Sequence, residues 1–113
     1  MMLEKIERVN YLIDFYEQLL TKKQKSILEL YYKENLSLSE IGEQLDISRQ
    51  AVHDNLSRST AALERWETKL GLYEAYRERS LEGQRILDLL DSSALAAPAA
   101  EAIKDIVHRV MMG

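Results

Sequence analysis

Apolar residues return along this chain at the spacing of a helix, not of a strand. In the opening segment Leu3, Ile6, Val9, Ile13, Tyr16 and Leu20 follow one another at intervals of 3, 3, 4, 3 and 4. That spacing lines one helix face and predicts about five turns. Thr21 and Gln24 have the separation of a capping box, in which each side chain bonds the other residue's backbone N–H. They open a predicted second helix that buries Ile27, Leu28 and Tyr31 and stops at "ENLS". Ser37 and Glu40 repeat the arrangement and open a short third helix with Ile41 and Leu45 inward. Ser48 caps a fourth, from Arg49 to about Leu70, with Gly71 as its stop or kink.

Beyond Gly71 the period continues. "LYEAYRERSLEGQRILDLL" predicts a charged fifth helix with Leu72, Tyr76, Ile86 and Leu90 among its apolar positions. Gly83 weakens its continuity by about 1 kcal/mol relative to Ala. The small residues of "DSSALAAPAA" predict a linker near 91–98, with Pro98 at the start of a last helix that stripes Ile103, Ile106, Val107 and Val110. The expected architecture is all-α, with a helix-turn-helix domain over 1–70 and a C-terminal helical extension over 71–113.

The third and fourth segments together contain the motif. Two helices crossing steeply need a small residue where their backbones meet, and Gly42 supplies it. The turn needs a residue that tolerates a left-handed backbone, and Asp46 does. Ile41, Leu45, Ile47 and Val52 form the small core that holds the angle. On a wheel at 100° per residue from Arg49, Ala51, Val52, Asn55, Leu56, Ser59, Ala62, Leu63 and Trp66 fall between about 200° and 340°. The other half is polar. Early residues of the second helix of such a motif meet base edges, so the candidates are Ser48, Arg49, Gln50, His53 and Ser57, with Arg58 for phosphate. Lys22, Lys23 and Lys25 in "TKKQK" are a second basic source. Arg pairs with guanine, Gln with adenine, and Ser with base or phosphate. Asp54 sits badly there, because a carboxylate repels phosphate.

Charge bears on the ligand. The 113 residues carry a formal net charge of -4 and a sequence pI near 5.2. Affinity for nucleic acid comes largely from Lys and Arg that release counterions, so an acidic chain argues for few phosphate contacts. Absence of cysteine removes disulfides, thiolate ligands and a thiol nucleophile, and fits a reducing cytoplasm. The opening "MMLEKIERVNYLIDFYEQLL" is charged every few residues and reads as neither signal peptide nor membrane span. His53 and His108 stand on different helices without metal-binding spacing, and the carboxylate pairs are those of solvated helix faces. No catalytic set, metal site or cofactor is expected.

From about Leu19 to Leu63, "LLTKKQKSILELYYKENLSLSEIGEQLDISRQAVHDNLSRS" resembles region 4 of bacterial sigma factors. Val52, Leu56 and Arg58 are spaced as in the extracytoplasmic-function type, and "GEQLDIS" is closer to the housekeeping type. The resemblance implies a sigma-region-4-type fold whose fourth helix reads the promoter −35 element through Arg49, Gln50 and His53. A longer match, over roughly residues 3 to 90, joins "EKIERVNYLIDFYEQLLTKKQKSILELYY", the motif and "LERWETKLGLYEAY". In that combination the chain is similar to the YlxM family of small Firmicute proteins. Membership implies a helix-turn-helix protein encoded beside signal recognition particle genes. It therefore implies a regulatory or accessory role in co-translational targeting.

Three roles stay open: a regulator binding DNA or RNA, a protein-interaction module that uses the motif as scaffold, and a sigma-like transcriptional regulator. The partners to match are nucleic acid, the signal recognition particle protein or its receptor, and a second copy held through the C-terminal helices.

Overall fold

The computed structural model describes residues 3–113, all of its regular elements helical. Helix α1 runs Leu3–Tyr16 and is followed by a 3-10 turn, Glu17–Leu19. Helix α2 spans Lys22–Tyr32, α3 Leu38–Leu45, α4 Arg49–Leu70, α5 Leu72–Asp91 and α6 Ala97–Met112. The chain forms two compact units, Met1–Gly71 and Leu72–Gly113.

The first helix is shorter than its apolar stripe suggests. Both partners of the Thr21–Gln24 box are bonded, and that requires Thr21 to be extended, with φ -70° and ψ 161°. The chain must therefore leave the helix before Thr21, and it tightens into the 3-10 turn at Glu17. Val9, Leu12, Ile13 and Tyr16 are buried, whereas Leu3 is 76% exposed. In α2, Ile27, Leu28 and Leu30 are buried and Tyr31 is half-buried, so Leu30 takes the place expected for Tyr31.

Helices α1, α2 and α3 each pack on α4, whose buried stripe is Val52, Leu56, Ser59, Ala62, Leu63 and Glu67. Two polar members of the inner face have hydrogen-bond partners, one on the same helix and one on another. Ser59 Oγ donates to Asn55 Oδ1 at 3.2 Å, one turn away. Tyr16 Oη donates to the buried Glu67 Oε1 at 2.6 Å, and the Tyr16 and Trp66 rings lie 6.3 Å apart between centroids. Glu67 escapes the hydrophobic pattern because its partner is a phenol on another helix.

In the second unit α5 and α6 make an antiparallel hairpin through Ser92–Ala96, with Pro98 in the first turn of α6. Helix α5 continues unbroken through Gly83. A Cβ there would run into the Met111 side chain of α6, so the missing side chain is where the two helices close on each other.

Candidate nucleic-acid interface

The geometry of the motif follows from three local devices. Ser37 caps α3: its hydroxyl accepts from the Glu40 N–H at 3.1 Å, and the Glu40 carboxylate accepts from the Ser37 N–H at 2.9 Å. The backbone N–H of Ser37 holds the Glu40 carboxyl below its usual value. Asp46 ends α3 in the left-handed region, with φ 56° and ψ 48°. Its backbone N–H and that of Ile47 both return to the Gly42 carbonyl, the latter at 2.9 Å. At Gly42 an added Cβ would stand 2.7 Å from the Ile47 carbonyl oxygen. Glycine thus lets α3 approach the turn, and Ser48, accepting from the Ala51 N–H at 3.0 Å, starts α4.

On α4 the residues singled out from sequence are all exposed: Ser48, Arg49, Gln50, His53, Ser57 and Arg58. They share one stretch of surface. Measured from Arg49, His53, Ser57 and Gln50 lie at about 40°, 80° and 100°, with Asp54 at about 140°. Asp54 is an organiser of this surface and not a stray charge. Gln50 Nε2 donates to its Oδ1 at 2.9 Å, and His53 Nδ1 lies 3.5 Å from the same oxygen. That bond commits one amide hydrogen of Gln50 and leaves its carbonyl oxygen and second hydrogen available.

Cations flank this hydrogen-bonding strip on both sides. Arg49 stands at one edge. Arg58, Arg65 and Lys69 fall within about 40° of one another at the other edge, over roughly 16 Å of helix. All four are exposed, and none takes part in an ion pair among the described residues. Glu64, which the helical wheel also places on the polar half, is neutralised from α1. Arg8 grips it with two hydrogen bonds, 2.9 Å from Nε and 2.8 Å from Nη2. Those bonds hold the Glu64 carboxyl below the ordinary Glu value.

Arg65 and Lys69 extend the set chosen from sequence. The signal was present, since both share the wheel angle of Arg58. An expectation confined to the first turns of the second helix passes over them. Lys22 and Lys23 are exposed on the first turn of α2 and share no bond with the α4 row, while Lys25 is held by Glu17 at 3.4 Å. Exposed acids also remain nearby in the chain, Glu43 on α3 and Asp46 at the turn.

A family model described as "Putative helix-turn-helix protein, YlxM / p13 like", UPF0122, matches residues 3–107. A UPF0122 protein of Bacillus licheniformis is 44% identical over 110 residues, covering 97% of this chain and 99% of its own. One from Bacillus mycoides is 52% identical over 109 residues, 96% of each chain. One from Exiguobacterium sibiricum is 43% identical over 106 residues, 92% of this chain and all of its own.

Proposed function

Starting from a chain that belongs to the UPF0122 family of YlxM- and p13-like helix-turn-helix proteins, we propose that it binds nucleic acid through α4. One observation carries the reading: a strip of hydrogen-bonding side chains bordered on both edges by unpaired cations. A helix lying in a groove meets bases along its middle and phosphates along its flanks. Gln50, His53 and Ser57 have the chemistry for the middle; Arg49, Arg58, Arg65 and Lys69 have it for the flanks. On this reading the role is regulatory or accessory, and the resemblance to YlxM is what supports a link to the signal recognition particle pathway.

The charge supply sets the strength of binding. Each phosphate neutralised contributes a slope of about −0.9 in log K against log salt on duplex DNA. With three or four contacts, a fourfold rise in salt weakens binding about 40- to 150-fold. Fluorescence anisotropy with mixed-sequence duplex DNA, duplex RNA and single-stranded RNA tests this. Arg58→Ala and Arg65→Ala should each weaken binding on the recognised polymer and lower the slope by about one contact. If none of the three polymers binds at low salt, or both variants bind as wild type does, the reading fails.

A second reading has its own observation. Ile6, Tyr31, Tyr32, Asn35, Leu36 and Glu40 line an open groove of about 650 Å³ in the first unit. Tyr31 and Tyr32 meet edge to face with centroids 5.0 Å apart, and partial burial raises the Tyr32 phenol above its ordinary value. Aromatic grooves of this kind suit a protein partner, here the particle's protein or its receptor, with the motif as scaffold. Capture of either protein lost in Tyr32→Ala and kept in Arg58→Ala supports it. Capture of neither by the wild-type chain refutes it.

A further inference from the structure

The second unit has 42 residues, Leu72–Gly113, and very little interior. Among its described residues Tyr73, Gly83 and Val107 alone are buried. Units of this size normally need a disulfide, a metal or association with another copy. The chain has no cysteine, and among the described residues no group of three or more His, Asp or Glu is placed to hold a metal ion.

The apolar residues that would make an interior face outward along one side of the hairpin. A groove of about 470 Å³ is bordered by Ala75, Gly83 and Ile86 of α5 and by Ile106, Val107 and Val110 of α6. A second groove, sharing Ile86, continues past Leu89 to Leu95 and Ile103. Ile86 is 43% exposed, Leu89 70%, Leu95 46%, Ile106 52% and Val110 54%. Together these five side chains offer on the order of 500 Å² of apolar surface, what a homodimer patch of about 800 Å² at about 65% apolar contains.

The same groove carries both signs of charge. Glu78, Arg79 and Glu82 border it. A two-fold pairing brings each residue of a patch to residues of the identical patch, so Glu78 and Glu82 of one copy can meet the Arg79 guanidinium of the other. We propose that the α5–α6 hairpin pairs with the hairpin of a second copy of this chain, completing a four-helix bundle. The inference stands whether or not α4 meets nucleic acid.

Sedimentation equilibrium of the full chain, from low micromolar to near-millimolar concentration, should give twice the chain mass of 13.1 kDa. Leu89→Glu and Ile106→Glu place a charge on exposed positions that tolerate it in the single chain and not in the bundle. Each should raise the dimer dissociation constant about tenfold or more, because a carboxylate would be buried without a partner. The native chain lacks cysteine, so oxidised Leu89→Cys can bridge only to another copy and should do so faster than Glu43→Cys on α3. A mass of 13.1 kDa at every concentration overturns the proposal. So does a dimer indifferent to both Glu variants, or equal bridging by the two cysteine variants.

Discussion

Substituting Gly42 by Ala sets two effects of opposite sign against each other. Ala is favoured over Gly in a helix interior by about 1 kcal/mol, and Gly42 lies inside α3. Against that, the new Cβ would lie 2.7 Å from the Ile47 carbonyl oxygen, 3.5 Å from the Arg49 nitrogen and 3.6 Å from the Ser48 carbonyl carbon. All three are backbone atoms, which cannot swing aside as a side-chain end can. Overpacking costs about 1–3 kcal/mol, and a rigid obstacle belongs in the upper half of that range. The net expectation is a loss of about 1–2 kcal/mol, with Tm falling by about 4–8 °C per kcal/mol. Thermal melting followed by far-ultraviolet circular dichroism reads it directly. Gly71→Ala is the comparator: nothing lies within 4 Å of its Cβ, but its φ of +62° strains an L-residue. Gly71→Ala should destabilise through the backbone alone. Gly42→Ala should in addition tilt the start of α4 and weaken any binding that depends on Arg49 and Gln50. A Gly42→Ala chain melting at or above the wild-type temperature would falsify the close-approach argument.

Two further tests concern the bonds between α1 and α4. Tyr16→Phe removes the phenol that donates to the buried Glu67 carboxylate at 2.6 Å, and the loss of that charge-assisted bond should cost about 1–3 kcal/mol in urea unfolding; an unchanged midpoint would contradict it. The Arg8 bond lowers the folded pKa of Glu64, so its stabilisation is present above the unfolded value of about 4.3 and is lost as pH falls through the folded one. With the Glu64 side chain 48% exposed, the effect should stay below about 1 kcal/mol. Arg8→Met should be less stable than wild type near neutral pH and converge with it in acid; a gap that does not narrow refutes the assignment.

The helices and their caps were legible because each rests on local chemistry. Two capping boxes, Ser48, Asp46 and Gly71 all act within a few residues of their own position. The end of α1 is a local matter that the stripe from Leu3 to Leu20 masks: the extended Thr21 cap and the 3-10 turn from Glu17 stop the helix at Tyr16. Local pattern fails to tell the outcome where a group on another element decides it. Gly83 is a helix breaker when judged alone and a packing device once Met111 of α6 is in place. The strip Ser48 to Arg58 could be read from the helical wheel. The pairing of Glu64 with Arg8, 56 residues away, could not, because a wheel has no neighbours.

That pairing changes what the acidic balance means. A formal charge of -4 counts every carboxylate equally, but ligands meet only those left unpaired on the surface they touch. Glu64 is held by Arg8 and Glu67 is buried under Tyr16. Asp54 is therefore the one carboxylate of α4 that neither an arginine nor a tyrosine engages, and it lies within about 60° of Arg58, Arg65 and Lys69 on the helical wheel. Three or four phosphate contacts still make weak, salt-sensitive binding in a single copy. Pairing through the hairpin would place two such strips on one particle. Contacts on a shared strand then add in the salt exponent, and the second strip acts at the effective concentration set by the tether. If both proposals hold, the hairpin would multiply an affinity that a single α4 would supply sparingly.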